Sequence, residues 1–134
     1  MGADMGSTTI GTQSRKDAAI AFLRLAASGK VNEAYGQYIG AGFRHHNPHF
    51  QGDVRSLAAG MAENAAKFPH KELEVQHAIE DGNLVAVHSR VRLSPKDSNV
   101  AVAHIFRFER DRIVELWDIG QPEPQDSPNE NGMF

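Results

Sequence analysis

The sequence contains no cysteine, which excludes disulfide bonds, thiolate catalysis and thiolate metal sites. A chain without disulfides is compatible with a reducing compartment, and we expect a cytoplasmic protein. No apolar run approaches the ~18 residues that a membrane-spanning helix needs, so we predict no membrane association. The 14 basic residues, against 17 acidic ones, form no stripe, which argues against nucleic acid as a partner.

The length of 134 residues fits one domain, and a domain of this size can bury a stable hydrophobic core without disulfide bonds or a bound metal. We predict a disordered lead over residues 1–13 and a single domain over residues 14–134. Apolar residues recur at helical spacing in three stretches before Pro69, the first starting at the N-cap residue Ser14. After Pro69 the pattern alternates and predicts four strands, over residues 71–79, 84–93, 99–109 and 112–120.

Helices grouped before strands indicate an α+β domain in which the helices pack on one face of an antiparallel sheet. A twisted, bent sheet covered in this way can enclose a pocket. The extended segment FRHHNPHFQG, residues 43–52, precedes the third helix, and the Pro-rich tail after residue 120 is expected to be irregular.

The stretch AVAHIFRFERDRIVELWDIG, residues 101–120, reads as a hairpin with one apolar face that His104 and Asp118 interrupt. A three-residue turn, Arg110 to Arg112, places Phe108 opposite Val114 and His104 opposite Asp118. A two-residue turn at Asp111 and Arg112 would bring a carboxylate into the apolar face, since a slip of one residue exchanges the faces of a strand. We therefore predict the three-residue turn.

In that register His104 and Asp118 are cross-strand neighbours with Cβ atoms roughly 4.5–5.5 Å apart. A buried carboxylate must find a partner or take up a proton, so the two side chains form either a satisfied core pair or an acid/base pair. The pattern alone leaves both interpretations open.

The opposite face of the same hairpin carries Trp117 with Ile105, Ile113 and Ile119, among Arg107 and Glu115. A face so apolar is not typical of a fully solvated surface. We therefore predict a homodimer formed through the sheet.

The cluster HHNPH, residues 45–49, suggests a metal site, but adjacent histidines in an extended segment point to opposite faces and no HExxH motif supports it. We predict no metal and expect His46 or Asn47 at the mouth of a pocket instead. His88 alternates with valines and could face either side of the sheet.

Four stretches together resemble one known group: FRHHNPHFQGD, LVAVHSRVRL, HIFRFERDRIVELWDIGQP and the closing NENGMF. The group is the SnoaL-like polyketide cyclases of the nuclear-transport-factor-2-like superfamily. The resemblance implies a cone-like curved antiparallel or mixed sheet wrapped around N-terminal helices, an internal pocket and dimers through the sheet. In the cyclases an aspartate on the last strand is the general acid/base of an aldol closure, accompanied by a histidine on the preceding strand, and no metal or organic cofactor is used. Asp118 and His104 occupy the matching places.

These observations predict a cofactor-free enzyme, of the lyase or isomerase kind, that performs acid/base chemistry on a small apolar carbonyl compound. Asp118 and His104 would be catalytic. The substrate pocket would be formed by His46, Asn47, His88, Val102, Phe106 and Leu116. The alternatives are a dimer of the same fold that binds a small ligand without turnover, and a purely structural dimer with a filled cone.

Overall fold

The computed structural model describes residues 13–134, so all but the last residue of the predicted disordered lead lies outside the described residues. Three helices come first: α1 (Arg15–Ala27), α2 (Val31–Tyr38) and α3 (Val54–Lys67). The Ser14 side chain accepts a hydrogen bond from the backbone N–H of Asp17 and so caps α1, as its position predicts. Gly29 follows the helix with a φ of +91°, a conformation that glycine adopts at little cost.

The sheet has five strands in the order β1-β5-β4-β3-β2. The strands are β1 (Ile39–His45), β2 (Glu72–Asp81), β3 (Leu84–Arg92), β4 (Val100–Glu109) and β5 (Arg112–Pro122). The meander β2 to β5 is antiparallel, as predicted, whereas β1 pairs with β5 in parallel and makes the sheet mixed. The prediction of an α+β fold with helices packed against a curved sheet is confirmed.

The core lies between the helices and the inner face of the sheet, and Phe22 of α1 is at its centre. The ring of Phe22 is fully buried and meets the rings of Phe106 and Tyr35 edge-on, at centroid distances of 6.1 and 5.4 Å. Burying a side chain of this size contributes about 1.5–3 kcal/mol to folding. The largest side chains sealed in this core are Phe22, Phe106, Phe108, Leu57, Ile113 and Leu116.

Arg15 ties the N-terminal end of α1 to two of the three hairpins of the meander. Its guanidinium donates two hydrogen bonds, of 3.0 and 2.9 Å, to the carbonyl of Arg110 in the β4–β5 turn. A third, of 2.9 Å, goes to the carbonyl of Gly82 in the β2–β3 turn. One side chain therefore fixes the start of α1 to the end of the sheet at which both turns lie.

The last hairpin has the predicted pairing of His104 with Asp118 but a different turn. Glu109 pairs with Arg112, so the turn is the two residues Arg110 and Asp111, and Arg110 has a positive φ of 58°. Phe108 pairs with Ile113 rather than with Val114, and a β-bulge after this pair restores the expected register. Ile113, which the pattern assigns to the outer face, is consequently part of the core, and that part of the prediction is wrong.

A second β-bulge lies in β2 between Val75 and His77, and beyond it the residues that would have faced the core face outward. Leu73 and Val75 pack against the core, whereas Ile79, which the alternation places on the same side, is 66% exposed on the outer face. Beyond the sheet the tail is irregular, as predicted, and it brings the ring of Phe134 onto that of His88. Among residues 13–134, no helix has the length and apolarity needed to cross a membrane.

Candidate functional site

A cavity of about 290 Å³ lies between α1, α3 and the inner face of the sheet. Most of its wall is apolar: Leu23, Ala26, Ala27, Phe50, Leu57, Gly60, Met61, Leu73, Val91 and Val102. Five polar side chains also line it, and these are Asn47, Asn64, Lys71, His104 and Asp118. An apolar hollow with a few convergent polar groups is the usual form of a small-molecule site.

His104 and Asp118 are directly opposite each other on β4 and β5, and both face this cavity. Nε2 of His104 lies 3.4 Å from Oδ1 of Asp118, which is an ion-pair distance but longer than an ordinary hydrogen bond. Burial lowers the pKa of His104 below its usual value of 6.5, and the charge of Lys71 lowers it further, while Asp118 raises it. Burial of the imidazole therefore favours its neutral form.

Asn47 holds the other oxygen of the Asp118 carboxylate. Its Nδ2 donates a hydrogen bond of 2.9 Å to Oδ2 of Asp118. The Asn47 side chain is itself fixed, because its Oδ1 accepts a 2.9 Å hydrogen bond from the backbone N–H of His49. Pro48 favours the extended conformation of Asn47 that allows this local turn. Asp118 is thus oriented from the β1–α3 connection as well as from the sheet.

Lys71, just before β2, supplies a cation to the same cavity. Its ammonium donates a hydrogen bond to Oδ1 of Asn64 on α3, and both residues are half-buried. Burial lowers the pKa of Lys71, and the negative charge of Asp118 opposes that shift. Neither Lys71 nor Asn64 is among the site residues predicted from the sequence. Lys71 begins the predicted strand over residues 71–79, where a charged side chain is usually solvated, and Asn64 stands in a helix whose apolar stripe gives no sign of a polar neighbour.

The sequence predictions for the pocket divide into three groups in the structure. Asn47 and Val102 line the cavity with Asp118 and His104. Phe106 and Leu116 are fully buried in the core. His46 and His88 lie on the outer face of the sheet, so the structure separates them from the other predicted site residues.

His46 on the outer face stacks on Trp117, with ring centroids 5.0 Å apart and planes 10° from parallel. Its Nε2 donates a 2.7 Å hydrogen bond to the Glu115 carboxylate, which also accepts hydrogen bonds from Arg44 and Arg107. His88 stacks in the same way on His77, and their Nδ1 atoms are 3.1 Å apart. The two histidines therefore have partners on the outer face.

No three His, Asp or Glu side chains converge in a metal-binding arrangement within residues 13–134. The groups that the cavity offers to a ligand are one carboxylate, one imidazole, one ammonium and two carboxamides. Such a set can accept a proton at Asp118 and bind oxygen atoms elsewhere.

The fold is an α+β domain with a cavity between its helices and its sheet. Residues 18–116 match the SnoaL-like domain, and the chain belongs to that family. None of the proteins with curated functions matches the sequence.

Several solved structures share the fold at low sequence identity. A SnoaL-like polyketide cyclase from Agrobacterium tumefaciens is 16% identical, with a TM-score of 0.67, covering 81% of this chain and 92% of its own. A putative polyketide cyclase from Acidithiobacillus ferrooxidans is 20% identical, with a TM-score of 0.65 and coverages of 81% and 89%. An uncharacterized cystatin fold protein from Novosphingobium aromaticivorans is 23% identical, with a TM-score of 0.65 and coverages of 80% and 98%. At these identities the likeness concerns the fold alone.

Proposed function

We propose that the protein is a cofactor-free enzyme that transfers a proton at the carbon next to a carbonyl group, in an aldol-type cyclisation or an isomerisation of a small apolar compound. The observation that carries the proposal is the Asp118 carboxylate, which faces an apolar cavity and is oriented by Asn47 beside the imidazole of His104. The polyketide cyclases among the structural neighbours support the same reaction class.

In this proposal Asp118 removes the proton from the α-carbon and returns it later in the reaction. Only 21% of its side chain is exposed, so little water competes for the carboxylate. His104 either orients Asp118 or donates a hydrogen bond to the enolate oxygen that develops as the proton leaves. A preorganised hydrogen bond of this kind contributes about 3–4 kcal/mol.

The test begins with a thermal-shift screen of polyketide, steroid and aromatic carbonyl compounds. A ligand at 100 times its dissociation constant adds about 2.7 kcal/mol of stability. Ligands from the screen are then incubated in D₂O, and deuterium at the α-carbon is measured by mass spectrometry. We expect Asp118→Asn to abolish exchange while ligand binding is retained. Full exchange in that variant would refute the mechanism. Binding without exchange in the wild-type protein would indicate a ligand-binding protein without turnover instead.

We also propose that two copies associate through the outer face of the sheet. This face exposes Ile79, Ile119 and Leu84, with 66%, 57% and 42% of their surfaces accessible. In the strand pairing an apolar row crosses the face from Ile79 through Ala86 and Ile105 to Trp117. Contiguous apolar surface of this kind marks interaction sites, and a two-fold contact would bury it on both copies.

Sedimentation velocity at several concentrations measures the association. We expect a dimer for the wild-type protein and a monomer for Ile119→Lys. Ala66→Lys, which adds the same charge on the exposed side of α3, should remain dimeric. A wild-type monomer at all concentrations would contradict the proposal.

A further inference from the structure

The second charged group of the cavity, Lys71, has no role in the proton transfer described above. Among residues 13–134 no carboxylate lies within ion-pair distance of its ammonium, although the side chain is half-buried. Its hydrogen-bond partner is the neutral side chain of Asn64. A half-buried cation without a counter-ion loses hydration that a neutral amide replaces only in part.

Asp118 acts on Lys71 through its charge, but its carboxylate forms its close contacts with His104 and Asn47 and no ion pair with the ammonium. It stands on β5, and Lys71 stands at the start of β2, with β4 and β3 between them. Lys71 and Asp118 both line the cavity, and Val91 of β3 and Val102 of β4 line it as well, so a ligand lying on these two strands can reach both charged groups.

We propose that Lys71 binds a carboxylate of the ligand, so that the cavity takes an anionic carbonyl compound and Lys71 with Asn64 holds its charged end. The inference rests on the proposed function for the identity of the reacting end, which Asp118 serves. An enolate oxygen is two bonds from the carbon that loses the proton and must be held close to Asp118, where His104 already stands. Lys71, on the far side of β3 and β4, is placed to hold a different oxygen.

The lowered pKa of Lys71 is consistent with this role. Burial disfavours the ammonium in the free protein, and an anion bound beside it would restore the charged form. The apolar walls contributed by Leu73, Val91 and Met61 would then contact the hydrocarbon part of the ligand.

The test uses two probes of nearly identical shape, 2-naphthoate and 2-naphthamide, which differ in charge. Their dissociation constants are measured by isothermal titration calorimetry for the wild-type protein and for Lys71→Met, which keeps the length of the side chain and removes its charge. We expect the wild-type protein to bind the carboxylate about 10-fold tighter than the amide, since hydrogen bonds between charged groups are roughly twice as strong as neutral ones. The preference should vanish in Lys71→Met and in Lys71→Gln.

Lys67→Met is the matched control, because it removes the same charge four residues away on the exposed end of α3. It should keep the preference for naphthoate. An equal preference in wild-type protein and Lys71→Met, or an equal loss in Lys67→Met, would overturn the inference. The measurement needs no turnover, so its failure is distinct from a failure of Asp118-dependent deuterium exchange.

Discussion

The side chain of Asn47 donates a 2.9 Å hydrogen bond to the carboxylate of Asp118, although 71 positions separate the two residues in the sequence. The contact joins the connection after β1 to the last strand, and the parallel pairing of His45 with Leu116 sets its register. Orientation of the proposed base therefore depends on β1 as much as on the hairpin that contains the base.

Replacement of Asn47 by leucine should reduce proton transfer without unfolding the protein. A hydrogen bond to a charged group contributes about 1.5–3 kcal/mol, so we expect roughly 10- to 100-fold slower deuterium exchange. Asn32→Leu, on the exposed face of α2, is the matched control and should exchange at the wild-type rate. Unchanged exchange in Asn47→Leu would show that Asp118 does not need this partner.

Stability should fall as the pH drops below 6.5, and His104 should account for part of the loss. Because burial lowers its pKa in the folded protein, the unfolded chain takes up the proton first. The contribution of His104 is complete above its unfolded pKa and decreases by up to about 1.4 kcal/mol per pH unit between the two pKa values. Urea unfolding from pH 8 to pH 5 should show a shallower decline for His104→Gln, and His70→Gln, at an exposed position, should behave as wild type.

Acid should lower the stability of the protein through Glu115 on the outer face of the sheet, whose side chain is 6% exposed. Hydrogen bonds from His46, Arg107 and Arg44 lower the pKa of Glu115 from 4.5 to about 2, against the effect of burial. Its stabilising contribution is therefore present above pH 4.5 and is lost as the pH falls from there toward 2. Glu115→Gln should lose about 1–3 kcal/mol of unfolding free energy at pH 7 and show a smaller further loss in acid.

The matched control for Glu115 is Glu109→Gln. Glu109 also pairs with Arg107, but 70% of its side chain is exposed, so we expect a change below about 1 kcal/mol. Equal effects of the two substitutions in chemical unfolding would contradict the importance of burial here.

Gly60 on α3 leaves room for the ring of Phe50 at the cavity wall. A methyl group at this position would overlap that ring, so we expect Gly60→Ala to displace Phe50 and weaken 2-naphthoate binding by roughly 2- to 10-fold, the loss expected for one aromatic contact. Gly36→Ala in α2 meets no neighbour within 4 Å and should instead raise the unfolding free energy by about 0.5–1 kcal/mol. Both variants are measured by calorimetry and urea unfolding. An unaltered affinity of Gly60→Ala for 2-naphthoate would show that Phe50 is not part of the binding surface.

Hydrophobic periodicity predicts the helices, the meander and the pairing of His104 with Asp118, because these features depend on which residues are buried in the core. It does not predict the two bulges, since an extra residue in one strand costs little and leaves the composition unchanged. The prediction for Ile113 fails for this reason, and so does the alternation that groups Ile79 with Leu73.

Polar site residues are harder to predict than apolar ones. The alternation of an extended chain predicts that His45 and His46 point to opposite faces, but it does not predict which of the two faces lines the cavity. The structure buries His45 beside Phe43 and turns His46 outward to Trp117. Lys71 is placed by the connection between α3 and β2, which brings its ammonium back to Asn64 seven residues earlier, and the hydrophobic pattern does not predict that contact.

The hydrogen bonds of Arg15 to the β2–β3 and β4–β5 turns have a consequence for motion of the cavity wall. They hold one end of α1 against the sheet, so any tilt of this helix is a rotation about its N-terminal end. Such a rotation displaces Ala26 and Ala27 furthest, and these two residues line the cavity at the other end of the helix. Widening of the cavity for a larger ligand would therefore be greatest at the C-terminal end of α1, while the two turns keep their positions and Phe22, midway along the helix, moves less.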